Sequence, residues 1–271
     1  MKKIIFLCNW GETPEQLLKR YSSQTPGESG KWGNVIGVTH IDESDYYIVL
    51  DGYNKMLPQD KTIFVKREPN FINPNKPNYK NTIHWDETNC GITWWVNRTY
   101  DELKAMKYGD KTKDISCVVS SKHAHRANYV KSLFKSESPI DLYGRGHDPN
   151  YYGKNYKGQL NYDGKCKLRG LVDYKYSIVL ENSQQKNYWT EKLADAYLSW
   201  SVPLYWGCPN MSDYFPENSY HLLDMKHGNP SEQVKEIIKQ PVDIEALTKA
   251  RNIVLDEANI WEVINKKIKT I

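Results

Sequence analysis

Residues 175–211 read KYSIVLENSQQKNYWTEKLADAYLSWSVPLYWGCPNM, and the rest of the chain is organised around this stretch. Residues 176–180 are a short β-branched and aromatic run ending at the polar Glu181-Asn182-Ser183, the pattern of a strand that delivers a loop. A loop of Gln, Lys and Asn follows. Thr190 then stands where an N-cap is wanted, because Leu193, Ala194, Ala196, Tyr197 and Leu198 behind it fall at helical spacing. Residues 201–206 resume as an apolar strand with Pro203 at its start, where a missing N–H is tolerated.

With Thr190 as cap, Glu191 and Lys192 lie in the first helical turn. Unpaired backbone N–H groups and the positive dipole end there already favour an anion, and Lys192 adds a full charge. The unit reads either as a pyrophosphate cradle, with Glu191 accepting hydrogen bonds from sugar hydroxyls, or as an ordinary helix carrying a surface Glu-Lys pair.

The string ENSQQKNYWTEKLADAYLSWSVPLYWGCPN closely resembles the donor-site signature of glycosyltransferase family 10, the α-1,3/4-fucosyltransferases. That signature runs as ENS, a short loop, Y-x-TEK, a small-residue helix and VPI-x-x-G-x-P. Glu181, Asn182, Ser183, Tyr188, Thr190, Glu191, Lys192, Pro203, Gly207 and Pro209 match it.

The chain has 271 residues, 39% hydrophobic and 26% charged, with 9 Trp and 20 Tyr, which is enough for two small domains with cores of their own. Its net charge of +4 suits a phosphate-bearing ligand and requires no nucleic-acid partner. Cys8, Cys90, Cys117, Cys166 and Cys208 are odd in number, widely spaced and without a C-x-x-C pair, so neither a disulfide framework nor a zinc site is indicated. A reducing, cytoplasmic location is the expectation. The apolar run at residues 4–8 is too short for a signal peptide or a transmembrane helix.

In the N-terminal part, residues 4–7 read as a buried strand, Thr13-Pro14 opens a helix, and strands are expected at 46–50 and 62–65. Residues 22–32, rich in Ser, Gly, Pro and Gln, read as loop. Lys66-Arg67-Glu68-Pro69-Asn70-Phe71 follows the last of these strands. A carboxylate at a strand end is where open α/β sheets place chemistry, and the segment resembles the family's E-x-P-like stretch with its proposed catalytic base. Glu68 is therefore the expected base, with Asp51 and Asp86 behind it; as an isolated residue Glu68 is a solvated acid beside Arg67. Trp85, Trp94 and Trp95 serve either as an acceptor-sugar platform or as core. A helix capped by Thr99 and a polar break at Gly109-Asp110-Lys111 place the domain boundary at residue 110.

Beyond it, residues 115–119 read as a strand, followed by Ser120-Ser121-Lys122 and a helix in which Ala127, Val130, Leu133 and Phe134 repeat at helical spacing. Arg126 falls in its first turn. By the resemblance it contacts the donor's phosphates, a task for which a planar guanidinium is suited; by itself it reads as an exposed helical Arg. His123 and His125 have no third ligand nearby and do not suggest a metal. Residues 140–143 read as a strand leading into Gly144-Arg145-Gly146, and residues 230–239 and 243–267 as two C-terminal helices.

The alternation of strands and helices in both halves implies two doubly wound α/β domains, residues 1–110 for the acceptor and 111–271 for the donor. The resemblance implies a GT-B-like fold in which two Rossmann-like domains face across a cleft. It also implies inverting transfer of fucose from GDP-fucose to a glycan hydroxyl. Glu68 is then the base, Arg126, Lys192 and the Thr190 helix start form the phosphate cradle, and Tyr188, Glu191 and Asn182 hold sugar or ribose hydroxyls. No metal cofactor is required in this scheme. Its rivals are a relative using another nucleotide sugar and a non-catalytic glycan- or nucleic-acid-binding protein that kept the fold.

Overall fold

The computed structural model describes residues 1–67, 79–84, 93–134, 139–160 and 166–271. The chain forms two compact units. The first comprises Met1–Thr93, Arg98–Met106 and Val254–Ile271, and the second Trp94–Asn97 and Lys107–Ile253.

Unit 1 begins with β1 (Lys2–Leu7) and α1 (Pro14–Ser22), whose Thr13 cap forms a reciprocal capping box with Gln16. It continues through β2 (Lys31–Trp32), β3 (Val35–Gly37), β4 (Tyr46–Leu50), β5 (Thr62–Lys66) and β6 (Asn81–His84) to α2 (Tyr100–Ala105), again opened by a capping box, Thr99 with Glu102. The sheet order is β2-β3-β1-β4-β5-β6, and only the β2–β3 pair is antiparallel. β4 and β5 are almost unbroken apolar runs because both faces of a parallel sheet are covered. The strands β2 and β3 lie in and just after the stretch read as loop; they are short, and their pairing partners rather than their composition make them strands.

Unit 2 runs β7 (Lys113–Val118), α3 (Ala124–Leu133), β8 (Ile140–Tyr143), α4 (Pro149–Tyr152), α5 (Cys166–Arg169), β9 (Tyr174–Leu180), α6 (Glu191–Leu198), β10 (Val202–Trp206), β11 (His221–Leu222), α7 (Pro230–Ile237) and α8 (Ile244–Asn252). Its sheet, β11-β10-β9-β7-β8, is wholly parallel. Lys111, half-buried, donates from Nζ to the carbonyls of Val172 at 2.6 Å and Ser199 at 2.9 Å. The second contact satisfies a carbonyl at the C-terminal end of α6.

The chain then passes through a π-helical turn (Ile253–Glu257) into α9 (Ile260–Ile268). The sequence reads residues 243–267 as one helix of the second domain. The structure breaks it in two and returns the last part to unit 1. Asn259 does both: its side chain caps α9 by accepting from Trp261 N at 3.0 Å and donates to Gln24 O at 2.9 Å. Trp261, fully buried, packs edge-on against Phe6 with ring centroids 5.4 Å apart and donates from Nε1 to Tyr21 O at 2.8 Å. Unit 2 thus shares residues 111–253 with the domain expected over 111–271, lacks Val254–Ile271, and adds Trp94–Asn97 and residues 107–110.

Candidate nucleotide-sugar site

In unit 2 the connection from β7 leads to β8 at one edge, while those from β9 and β10 lead toward β11 at the other. Between β7 and β9 the loops therefore diverge, leaving a crevice at the strands' carboxyl ends where open α/β sheets bind ligands. Two helices start there. α3 brings His123, His125 and Arg126; α6 brings Thr190, Glu191 and Lys192.

Both cations are anchored where β9 ends, on Leu180 and on Glu181 directly after it. The Arg126 side chain, 5% exposed, donates from Nη1 to Leu180 O at 3.3 Å, while its buried Nε has no hydrogen-bond partner. Lys192 Nζ sits 3.2 Å from Glu181 Oε2, 3.2 Å from Glu191 Oε1 and 3.0 Å from Thr190 Oγ1. Glu181, 0% exposed, also receives the Thr190 N–H at 2.8 Å and the Thr190 hydroxyl at 2.8 Å. Every one of these partners is a donor, so the geometry is that of a carboxylate. Burial pushes Glu181 above the ordinary carboxylate range against the pull of Lys192. Burial alone would lower Lys192, but Glu181 and Glu191 outweigh it and hold the ammonium firmly charged.

Glu191 titrates in the opposite sense. Burial would raise it, yet Lys192 and Lys167 hold it down at about 2. It is a permanent anion, able to accept sugar hydroxyls and too weak a base to remove a proton at neutral pH. Burial, and then the charge of Arg126, lower both His123 and His125, whose rings lie 6.0 Å apart; His125 also lies 5.5 Å from Trp206 at the end of β10. Neutral imidazoles at this edge offer hydrogen bonds without adding charge. Among the described residues no group of three His, Cys, Asp or Glu side chains is arranged to hold a metal ion.

The loop after β9 is tied down from β10. Asn187, at φ +66°, donates its N–H to Asn210 Oδ1 at 2.8 Å, and Asn210 Nδ2 returns a bond to Asn187 Oδ1 at 2.8 Å. Gly207 is required by close approach: a Cβ there would lie 2.4 Å from Tyr205 Oη and 2.5 Å from Glu181 Cγ. Tyr188 is 1% exposed, which leaves its hydroxyl little surface to offer a sugar, and Asn182 is half-buried beside Glu181. One turn into α6, the fully buried Asp195 pairs with Lys167 and accepts Trp95 N at 2.8 Å. Of the tryptophans read as platform or core, Trp94 is buried and Trp95 is 47% exposed.

Arg126, Thr190, Glu191 and Lys192 are thus brought together at one edge of one sheet. Glu68, Asp86 and Trp85 lie outside the described residues. Asp51 is engaged: it accepts from Arg67 N, Nε and Nη2 at 2.7, 2.9 and 2.8 Å, which disfavours it as a base. Sequence reading gave no role to Glu181 or the two histidines. Its match to the ENS signature and its place directly after a strand single out Glu181 in the sequence, but periodicity does not say which way such a residue turns.

Residues 108–239 match the family model described as glycosyltransferase family 10 (fucosyltransferase), C-terminal part. The chain is 36% identical over 199 residues to alpha-(1,3)-fucosyltransferase FucT of Helicobacter pylori, an alignment covering 71% of this chain and 37% of that protein's length. It is 32% identical over 147 residues to alpha-(1,3)-fucosyltransferase B of Drosophila melanogaster, covering 53% of this chain and 32% of that one. The chain therefore spans about a third of the length of these relatives. In fold it is similar to the crystal structure of an alpha1,3-fucosyltransferase with GDP-fucose, at TM-score 0.55 and 20% identity, over 99% of this chain and 89% of that one. The GT-B class expected from the signature is the fold class found. With the donor signature folded at the crevice where such a sheet binds ligands, residues 108–239 of the chain belong to glycosyltransferase family 10, the fucosyltransferase family.

Proposed function

We propose that this protein is an inverting fucosyltransferase that binds GDP-fucose at the β7/β9 crevice and transfers the sugar to a glycan hydroxyl. The observation that carries this reading is the pair of cations fastened to consecutive residues, Leu180 at the end of β9 and Glu181 directly after it, one of the cations with a buried, unpartnered donor at Arg126 Nε. A buried donor without an acceptor is uncommon in a finished interior and fits a ligand that brings its own oxygen atoms. Two phosphates supply such oxygens and the charge to match. Arg126, Lys192 and the N–H groups at the start of α6 then take up the negative charge that grows on the departing diphosphate, the part a divalent metal would otherwise play.

Neither acid of this cradle serves as base. Glu181 is enclosed and fully occupied by donors, and Glu191 is held too acidic. The proton of the acceptor hydroxyl is assigned to Glu68, which follows directly on Arg67 at the end of β5. The thiols of Cys8, Cys117 and Cys208 are free and buried, which fits the reducing cytoplasm as the place of action, and no helix among the described residues is long and apolar enough to cross a membrane.

Thermal-shift titration with GDP and GDP-fucose, in chelator and without added metal, tests the reading. At about 100 times the dissociation constant a ligand adds about 2.7 kcal/mol, a clear rise in Tm. Stabilisation that vanishes in chelator removes the metal-free cradle, and stabilisation by uridine nucleotides in place of guanosine ones moves the donor to another sugar nucleotide.

A further inference from the structure

Unit 1 has a crevice of the same kind. From β1 the chain turns toward β3, and from β4 it runs to β5 on the other side, so the loops after β1 and β4 diverge at the carboxyl ends of two adjacent strands. The residues delivered there are Trp10 and Glu12 after β1 and Asp51 after β4, with Arg67 arriving from β5.

These four form one interlocked group. Trp10 donates from Nε1 to Glu12 Oε2 at 2.6 Å, and Arg20 clamps the same carboxylate, one of its two contacts at 2.8 Å. Arg67 lies over the indole with Cζ 5.2 Å from the ring, and is itself held by Asp51 through side-chain bonds of 2.9 and 2.8 Å. Asp51 adopts φ +54°, a left-handed conformation that Asp enters more readily than most side chains. Two ion pairs thus fix the edge and one face of the indole, yet Trp10 remains 41% exposed. An aromatic ring that only filled space would be covered, and one left at the surface by chance would not be held at its edge and face by two ion pairs.

We infer that Trp10, backed by Arg67 and edged by Glu12, is a sugar-stacking platform of unit 1 that receives a hexopyranose ring of the acceptor glycan. The inference rests on the proposed glycan-directed function for its choice of ligand. A pyranose presents a face of C–H groups to an aromatic ring and hydroxyls at its rim. The exposed part of Trp10 meets the first, and the carboxylate of Glu12, 22% exposed, meets the second. Rigid placement lowers the ordering cost of binding, which is what the clamps on Trp10 achieve. Glu68, assigned as base, is the next residue in the chain after Arg67.

Saturation-transfer NMR on the full chain with lactose, N-acetyllactosamine and cellobiose at millimolar concentration tests this directly, without transfer activity. At least one sugar gives saturation transfer with the wild type. Trp10→Phe, which keeps a π-face, retains it; Trp10→Ala and Trp10→Leu weaken the dissociation constant at least about tenfold. Trp10→Leu keeps the apolar bulk, so that loss of binding is not loss of fold, and an unchanged GDP-induced rise in Tm confirms this for each variant. Absence of saturation transfer from all three sugars, or wild-type affinity in Trp10→Leu, overturns the platform. A wild type that binds sugar but no GDP instead overturns the donor reading and leaves Trp10 standing.

Discussion

Replacing Lys192 by Met leaves Glu181, 0% exposed, as a carboxylate whose counter-charge at 3.2 Å is gone. Removing one side of a buried ion pair costs about 3–5 kcal/mol. The Lys192 side chain is 23% exposed and Thr190 still donates to Glu181, so the lower end, about 3 kcal/mol, applies. The sign with pH follows from Glu181. Its folded value already lies above its unfolded one, and loss of Lys192 raises it further. Such a group contributes stability below the unfolded pKa and loses it as pH rises through the folded one. Lys192→Met therefore costs least near pH 4 and most at pH 8. Urea denaturation at the two pH values measures this, with Glu181→Gln/Lys192→Met as the control expected to regain at least about half of the loss. An equal loss at both pH values, or no recovery in the double variant, refutes the buried pair. In the same variant GDP affinity falls by about 1.5–3 kcal/mol, the worth of a charge-assisted contact.

Glu68→Gln keeps shape and hydrogen bonding but accepts no proton, so transfer falls about 10²–10⁴-fold while GDP affinity stays; wild-type turnover in this variant removes Glu68 as base. Gly207→Ala forces a methyl against Tyr205 and Glu181, with a stability loss of about 1–3 kcal/mol and weaker GDP binding, and unchanged values for both show the approach to be slack. Asp195, lifted by burial to about 6 in spite of Lys167, makes the wild type lose stability as pH rises from about 4 through about 6. Asp195→Asn flattens the stability profile in that window, and a profile unchanged by the substitution shows that Asp195 does not titrate there.

Much of the scaffold is legible in the residues. The strands β4 and β8 have the bounds read from the sequence, and Thr13, Thr99 and Thr190 cap helices as their side chains dictate, because a capping bond spans two or three residues. The signature from Glu181 to Lys192 names the family in the same way, through spacing along one loop and one helix turn. Contacts between distant segments are another matter. Nothing near Trp261 says that it packs beneath Phe6, so the sequence leaves α9 with the half that precedes it.

The same limit applies within the site. Side-chain periodicity reports that one face of an element is buried, and it is silent on what buries it. That Arg126 reaches the end of β9, that Glu181 turns inward to hold Lys192, and that Asp51 clamps Arg67 over Trp10 are consequences of strand order. The sequence by itself determined most of the longer elements, the threonine caps and the family resemblance, but not the short strands β2 and β3 or the break before α9. Which loops meet at the two switch points was decided by tertiary structure, since the free energy that sets strand order comes from burying whole faces of both sheets and belongs to no local stretch.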